Sequence, residues 1–308
     1  MIFNNGKEIE ISDKSLFNKY FEKYLPEISE FTFTNLFAWK EYYHFLFKEH
    51  KEHLILFSKD YLSRWGTDEE DNEDSLFVMP PIGPNPEKIL LELFDSTENI
   101  AFHRVQESLI DNLRKIDDFQ NLNIRVEEDR ANWDYIYDKE ELVKLSGNKY
   151  RSKRRFLETF KQEYDYQFHL ISDEWLEQCK KLQNKWCMIN ECQKNKDLHQ
   201  EQIAIDKLFD HFSELDYYGG IVLVDDKPAG YTIGEMLNDN TVVIHIEKAH
   251  TYYKGSYQAI NNMFLTECCE KEAKYINREQ DLGIEGLRKA KQSYHPIRMI
   301  KKYILYKE

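Results

Sequence analysis

The sequence predicts a mixed α+β protein made of two copies of one unit, each a mainly antiparallel mixed sheet flanked by helices. Short apolar runs of strand length alternate with amphipathic segments of helical period along the chain. Their order (helix, helix, three strands, helix, strand, helix, strand) occurs twice, although no obvious sequence identity links the halves. The 308 residues include only 7 Pro and 11 Gly and no low-complexity linker. We therefore expect two domains, at residues 1–137 and 138–308.

The first half opens with a helix that Ser12 and Asp13 can cap. The polar turn KEHKE between two apolar runs predicts a hairpin, and the segment PPIGP after the third strand cannot continue a ladder. The acidic tract Thr67–Asp74 is expected to be a solvated loop. The predicted elements are helices at 12–23, 34–42, from 86 and 106–116, and strands at 44–47, 53–57, 75–79, 100–102 and 122–126.

The second half contains the stretch around which the function is predicted, Thr241–Pro296. It begins with a continuous apolar strand, Val242–Ile246, and passes through a loop with Gly255 into a helix. The predicted elements are strands at 133–137, 220–224, 229–237, from 241, 275–277 and 299–306, and helices at 139–145, from 149, 173–188, 199–215, 256–272 and after Gly283.

Composition excludes several classes of protein. Hydrophobic residues make up 41% of the chain and aromatic residues 14%, which is enough for a sizeable core and argues against global disorder. The formal net charge is −14, so a polyanion would need a local basic patch. The first residues do not read as a signal peptide, and no apolar run approaches about 20 residues. We therefore expect a cytoplasmic protein without integral membrane association.

The five cysteines are odd in number and lie mostly on predicted helices. Free thiols in a reducing cytosol fit this pattern better than a disulfide framework. Cys187, Cys192 and His199 match no standard spacing of zinc ligands, so no metal site is predicted.

A cluster of five cations within seven residues is the clearest local positive patch of this acidic chain: Lys149, Arg151, Lys153, Arg154 and Arg155. Its three arginines share one helix face by their spacing of i, i+3 and i+4. The cluster can contact phosphates of tRNA, of coenzyme A or of a lipid headgroup. The alternative is a solvated basic face that pairs with Glu158 and neighbouring acids.

A second group of charges follows the strand 275–277, at a strand end where ligands often bind in α/β folds. A glutamate there can hold an ammonium group and an arginine a carboxylate, which is what recognition of an amino acid requires. Cations on the next helix can complete an anion pocket. The alternative is a buried network of ion pairs between strand and helix. The residues are Arg278, Glu279 and Asp281 at the strand end, and Arg288, Lys289 and Lys291 on the helix.

Several motifs carry a family resemblance that covers nearly the whole chain. They are FTFTNLFAW (31–39), DYIYD (134–138), LSGNKYRSKRR (145–155), IHIEKA (244–249) and NREQDLGIEGLRKAKQSYHP (277–296). With the element order, they resemble the soluble proteins grouped with the C-terminal domain of phosphatidylglycerol lysyltransferases (DUF2156), which are related to FemABX aminoacyl transferases. The lysyltransferases themselves differ in the last motif and carry membrane helices, so lysylation of the lipid is not implied.

The resemblance implies tandem Gcn5-related N-acetyltransferase (GNAT)-like domains. It also implies transfer of an aminoacyl group from aminoacyl-tRNA to an amine or hydroxyl of a small molecule or peptide, in a cleft between the domains. Acetyl-CoA enzymes of this fold hold the pyrophosphate on a loop whose pattern falls here on Tyr252, Gly255 and Tyr257. Only the glycine is kept, which favours another donor, although Gly255 can also be a simple turn residue. Acyl-CoA remains the alternative donor, and no cofactor is assigned.

Glu247 is the predicted general base, because it lies at the end of the core strand and amide formation needs a neutral amine. Strand alternation places His245 on the same face, where it can also be a core histidine with its hydrogen bonds satisfied. No nucleophile elbow, Walker loop or dinucleotide fingerprint occurs, so direct attack on a bound acyl donor is expected. The alternatives are an acyl-CoA-dependent N-acyltransferase and a binding module that has lost the chemistry.

Overall fold

The computed structural model describes residues 2–61 and 76–307, so the predicted acidic loop at 67–74 lies outside the described residues. The chain divides into two compact units. The first comprises Met1–Asp134, Gln280–Glu285 and Met299–Glu308, and the second comprises Tyr135–Glu279 and Gly286–Arg298.

The first unit contains a seven-stranded sheet. Its strands are β1 (Lys7–Glu8), β2 (Leu46–His50), β3 (His53–Ser58), β4 (Leu76–Val78), β5 (Ile100–Gln106), β6 (Ile124–Glu128) and β14 (Lys302–Lys307), and its helices are α1 (Lys14–Lys23), α2 (Phe33–Tyr43), α3 (Pro86–Ser96), α4 (Glu107–Leu113) and α5 (Asp117–Asn121). The strand order is β1-β2-β3-β4-β5-β14-β6. Only β4 and β5 pair in parallel among these neighbours.

Local sequence explains several of these elements. The hydroxyl of Thr32 accepts a hydrogen bond from the Asn35 amide at 3.1 Å and so caps α2. Pro86 occupies the first turn of α3, where its missing N–H costs nothing. The predicted hairpin is confirmed, since His50 of β2 pairs with His53 of β3. The apolar side of α3 packs with the sheet around fully buried Phe94.

A buried set of charges fixes the last strand in the first unit. Lys302 of β14 has no exposed side-chain surface, and its ammonium donates to Asp134 at 2.7 Å and to Glu30 at 2.6 Å. The guanidinium of Arg104 binds Glu30 at 3.2 Å and Asp129 at 2.6 Å. Removing one partner would leave an unpaired buried charge, at a cost of about 3–5 kcal/mol. No local pattern indicates this network, because its cations and their carboxylates are 25 or more residues apart along the chain.

The second unit contains a second seven-stranded sheet. Its strands are β7 (Asp134–Asp138), β8 (Tyr166–Leu170), β9 (Tyr218–Val224), β10 (Lys227–Asn238), β11 (Thr241–Ala249), β12 (Tyr275–Asn277) and β13 (Arg298–Ile300), and its helices are α6 (Lys139–Lys144), α7 (Arg151–Glu163), α8 (Asp173–Ile189), α9 (Lys196–Asp210), α10 (Ser256–Glu267) and α11 (Glu285–Gln292). The order is β13-β7-β12-β11-β10-β9-β8, and β11 pairs with β12 in parallel.

The predicted fold class is confirmed: both sheets are mixed, mainly antiparallel and flanked by helices. The domain boundary differs from the predicted single cut after residue 137. β14 returns from the end of the chain to lie between β5 and β6, and β7 lies between β12 and β13. Each of these strands is inserted between two neighbours of its sheet, so pairing rather than position in the chain decides where it belongs.

The second half also corrects several predicted elements. β8 was missed, although Tyr166, Phe168 and Leu170 alternate with polar residues as a strand requires. The single strand predicted at 299–306 divides into β13 and β14, which belong to different sheets. Helix α9 begins earlier than predicted, because the Asn195 side chain caps it by accepting from the amides of Asp197 and Leu198.

The expectation of five free thiols is wrong for two cysteines. Cys187 at the end of α8 and Cys192 form a disulfide, with their Cα atoms 5.0 Å apart. Cys179, Cys268 and Cys269 are free. Within the described parts of the chain, no helix combines the length and apolar character that crossing a membrane requires.

Gly255 lets α7 approach the start of α10 closely. Its φ of 86° is left-handed, and a Cβ there would overlap the backbone carbonyl oxygen of Phe156 on α7. Gly147 has a similar φ of 81°, but a Cβ there would meet no atom within 4 Å.

Gly255 gives a test of this packing. Gly255→Ala should lower the free energy of unfolding by about 2 kcal/mol or more, because it adds backbone overlap to left-handed strain. Gly286→Ala is the control, because a Cβ there meets no atom within 4 Å and its φ is not left-handed, so it should cost less than about 0.5 kcal/mol. Urea unfolding of both variants measures the difference, and a Gly255→Ala protein as stable as Gly286→Ala would contradict the close approach of α7.

Candidate active site at the separated strands of the second unit

The parallel pairing of β11 and β12 covers only three residues of each strand. The last paired residues are Val243 and Asn277, whereas β11 continues to Ala249. The Asn277 side chain accepts from the amide of Glu279 at 2.8 Å, and Glu279 adopts a left-handed φ of 53°. The two segments therefore separate, and charged side chains occupy the space where ladder hydrogen bonds end.

A bulge in β11 turns His245 toward this region. Ile233 of β10 pairs with Ile246, and the next residue, Gly234, pairs with Ile244, so His245 is left between two paired positions. A Cβ on Gly234 would lie 3.0 Å from the Phe264 ring and would also overlap the Val243 backbone, so the bulge needs glycine here.

His245 bridges two carboxylates. Its Nε2 lies 2.8 Å from Glu235 on β10, and its Nδ1 lies 2.8 Å from Glu279. Burial alone would lower the pKa of His245, but the hydrogen bonds and charges of the two glutamates outweigh it and raise the pKa to about 9. The imidazole is therefore protonated at neutral pH and donates from both nitrogens. It joins β10, β11 and the chain that leaves β12.

Arg278 and Glu247 form the second pair of the site. The Nη2 of Arg278 donates to Glu247 Oε1 at 2.7 Å, and Asn261 of α10 donates to Glu247 Oε2 at 2.7 Å. The Arg278 side chain is only 13% exposed. Its guanidinium carbon lies 4.8 Å from the centre of the Tyr294 ring and 5.8 Å from that of Tyr137.

Lys153 of α7 also belongs to this cluster and not to the outer basic face. Its ammonium lies 4.1 Å from the centre of the Tyr294 ring. Burial, followed by the nearby charge of Arg278, lowers the pKa of Lys153. The Tyr294 hydroxyl accepts from Gln258 of α10 at 3.3 Å, and burial raises the pKa of Tyr294, so the phenol stays protonated.

The rest of the predicted basic cluster lines an open groove of about 810 Å³. Arg151 and Arg155 are exposed, and Arg154 also donates to the carbonyls of Leu145 and Gly147 at the end of α6. Lys149 pairs with Glu141 at 2.7 Å. The groove is lined by Asn148, Lys149, Arg151, Ser152, Arg154, Arg155, Phe156, Glu158, Thr159 and Lys254, so five cations face one acid.

The loop between β11 and α10 lies beside the end of α8. Tyr252 is 85% exposed, and Tyr257 accepts a hydrogen bond from the Trp186 indole at 3.2 Å. Lys248, on the opposite face of β11 from Glu247, lies 3.7 Å from the centre of the Trp186 ring and pairs with Glu201 at 2.7 Å. Its charge is thus held by α8 and α9.

Other predicted residues take different positions. Lys291 donates to the carbonyl of Arg278, so it ties α11 to the chain that follows β12. Arg288 lies half-buried on α11. Asp281 is fully buried in the first unit, where it accepts from Arg130 at 3.0 Å and from the Gly283 amide at 2.9 Å.

The structure thus brings together Glu247, Arg278 and Lys153 in one cluster and Glu279 with His245 in another. Both the ligand-site prediction and the alternative of a buried ion-pair network describe part of this arrangement, since each carboxylate has a cationic partner. Sequence reasoning missed three contributors, Glu235, Asn261 and Tyr137, of which the alternation along β10 could have indicated only Glu235. Among residues 2–61 and 76–307, no group of three or more His, Cys, Asp or Glu side chains is arranged to hold a metal ion.

Comparisons with known proteins define the relatives. The sequence model of the family described as "Phosphatidylglycerol lysyltransferase, C-terminal" matches residues 21–306. A conserved protein of unknown function from Bacteroides thetaiotaomicron VPI-5482 is 29% identical, with 100% of both chains covered and a TM-score of 0.87. An uncharacterised protein of Mycoplasmoides gallisepticum is 28% identical over 177 residues. That match covers 56% of this chain and 55% of the relative, so it spans about half the length of the curated relative.

Two more distant structures share the fold. The L-PGS of Bacillus licheniformis is 14% identical, with 98% of this chain and 93% of that chain covered and a TM-score of 0.63. FemX is 10% identical, with 99% and 97% covered and a TM-score of 0.60. At these identities the likeness concerns the fold alone.

The protonated His245 predicts a pH-dependent stability. Its pKa is raised from 6.5 to about 9 by folding, so the stabilisation is complete below about pH 6.5 and is lost as the pH rises through 9. We expect the free energy of unfolding to fall by about 3 kcal/mol across this window, since each pKa unit is about 1.4 kcal/mol.

Urea unfolding at intervals from pH 6 to 10 measures this loss. His245→Gln is the control, because it keeps a hydrogen-bonding side chain without a charge that titrates in the window. A wild-type protein with the same pH profile as His245→Gln would contradict the bridge.

Proposed function

Because the chain belongs to the family of the phosphatidylglycerol lysyltransferase C-terminal domain, we propose that it is an acyltransferase that moves an aminoacyl group from aminoacyl-tRNA to an amine or hydroxyl acceptor. The fold is of the acyltransferase type that FemX and L-PGS also have. The identities of the acyl donor and of the acceptor go beyond the fold comparison. They are argued from residues of the second unit.

The main support is the position of α7. One side of this helix lines the groove with Arg151, Arg154 and Arg155, and another side sends Lys153 to the cluster of Arg278 and Tyr294. A groove with five cations and one acid, in a chain of net charge −14, fits a polyanion held by its phosphates. A donor in this groove can extend its acylated end along α7 toward the buried cluster.

Glu247 serves in this proposal as the group that takes a proton from the attacking amine, directly or through water. Arg278 and Asn261 each donate to one of its oxygens and fix the carboxylate in place. Each carboxylate oxygen can accept a second hydrogen bond, so the two present contacts leave acceptor capacity for the amine. The amine nitrogen attacks the ester carbonyl of the donor, an amide forms, and the terminal ribose hydroxyl of the tRNA leaves with a proton.

Charge reversal in the groove tests the donor. Arg151→Glu/Arg155→Glu should weaken binding of bulk tRNA at least about 10-fold and reduce the slope of log affinity against log salt by roughly 2, one for each lost phosphate contact. Lys161→Glu, an exposed position on the same helix outside the groove, is the matched control. Filter binding at several salt concentrations measures both quantities.

An unchanged affinity in the double variant would remove the support for tRNA. Binding of acetyl-CoA that survives the double variant would instead favour the acyl-CoA-dependent enzyme.

Replacing Glu247 tests the chemistry. Glu247→Gln keeps the shape and the contacts of an acceptor oxygen but loses the base, so the transfer rate should fall by about 10²–10⁴-fold while tRNA affinity is unchanged. The measurement follows label from a mixture of labelled aminoacyl-tRNAs into new amide or ester products, with the free amino acids and short peptides as acceptors. Product formation by Glu247→Gln at the wild-type rate would argue against this role.

A further inference from the structure

One donor of the candidate site has no partner. Arg278 uses Nη2 on Glu247, and its Nη1 is buried without a hydrogen-bond partner among the described residues. A buried polar group left unpaired costs about 1–3 kcal/mol, and more when it is charged. Native structures rarely keep such a group unless a ligand or water completes it. The unpaired N–H of Arg278 therefore marks a position for an acceptor atom.

The same cluster has one positive charge in excess. Arg278 and Lys153 both lie within 5 Å of the centre of the Tyr294 ring. Glu247 is the carboxylate that pairs with Arg278. Its charge also favours the Lys153 ammonium, but within the described residues no ion pair joins the two, and the ammonium lies against the Tyr294 ring. The lowered pKa of Lys153 agrees with an ammonium that burial and Arg278 disfavour. Buried charges are normally paired, so the cluster lacks one negative charge.

Tyr294 supplies a third donor near the two cations. Its hydroxyl oxygen accepts from Gln258; burial raises the pKa of Tyr294 and outweighs the opposing effect of Arg278, so the hydroxyl hydrogen is present. A hydroxyl that already accepts one hydrogen bond can still donate its own. Arg278, Lys153 and Tyr294 thus present a guanidinium N–H, an ammonium and a phenol O–H around one ring.

We propose that Arg278, Lys153 and Tyr294 form a subsite for one carboxylate, and that the acceptor of the reaction is an amine that carries this carboxylate. A carboxylate has one negative charge and two oxygens, so one oxygen can accept from Arg278 Nη1 and the other from Lys153. The phosphates of the donor have the separate groove on the outer side of α7. That the bound carboxylate belongs to the acceptor rests on the proposed function, whereas the carboxylate subsite itself does not depend on it.

Lys153 also controls access in this proposal. Arg278 is nearly buried, whereas Lys153 is half-buried. Its long, flexible side chain places the ammonium over the Tyr294 ring. Rotation of Lys153 would admit the carboxylate and then cover it. The specificity of the enzyme for charged over neutral acceptors would thus depend on Lys153, which the sequence had placed with the phosphate-binding residues.

The first experiment compares pairs of small molecules that differ only in charge. Thermal unfolding is followed with acetate against acetamide, and with each protein amino acid against its α-carboxamide, at constant ionic strength set with chloride. We expect carboxylates to raise the melting temperature and at least one amino acid to bind at least 10-fold more tightly than its amide. Equal responses to carboxylates and amides throughout would overturn the subsite.

Lys153→Met provides the second arm and leaves the Arg278–Glu247 pair intact. This variant should weaken the bound carboxylate about 10-fold, and it should make the ligand-free protein more stable to urea, because it removes the uncompensated charge. Lys161→Met on the same helix should change neither quantity. A ligand-free Lys153→Met protein that is no more stable than Lys161→Met, or that binds carboxylates as well, would overturn the proposal.

These titrations contain no tRNA and need no turnover. Failure of tRNA binding would therefore contradict the proposed donor and leave the carboxylate subsite standing. Selective binding of carboxylates that is absent in Lys153→Met would support the subsite whatever the donor is.

Discussion

The end of the pairing between β11 and β12 is the constraint on which the second unit's site depends. After Val243 and Asn277 the two segments share no ladder, so their backbone and side chains need other partners. The asparagine turn at Asn277 directs Arg278 and Glu279 away from the strand. Glu279 then meets His245 at the bulge, and Arg278 meets Glu247 further along β11. Two ion pairs therefore hold the separated segments in place and line the space between them.

The first unit shows the same early end of a parallel pairing, because β4 and β5 pair only as far as Val78 and Phe102. The second residue beyond that pairing, Arg104, has a positive φ of 60°, as Glu279 has at the corresponding place in its own sheet. The strand orders of the two sheets also correspond position by position. The chemistry differs, because Arg104 pairs with Glu30 and Asp129, whereas Glu279 at the corresponding place pairs with His245. The two units share this backbone geometry but carry opposite charges at that position.

Helix α7 carries cations on two faces, and these cations are mixed along its sequence. Arg151 and Arg155 are exposed along the groove, whereas Lys153, between them in sequence, lies over the Tyr294 ring. The helical period of 3.6 residues places neighbours about 100° apart, so a run of cations divides between faces. The division places several cations along the groove and one in the buried cluster. Gly255 permits the close approach of α7 to α10 that brings the two sites near each other.

The fold class, the order of most elements and the residue types of the site could be predicted from the sequence, because apolar periodicity and turn residues act locally. The sequence also identified Glu247, Arg278 and Glu279 as neighbours of strand ends, and the basic run on α7. The partners became known from the folded chain: the return of β14 to the first sheet, the Lys302 network, and the contacts of Glu235, Asn261 and Tyr294 with the site. These join residues that are distant in the chain, and no local pattern records them. Whether a charge is exposed, paired or left with an open donor depends on what packs around it, and that is a property of the folded chain.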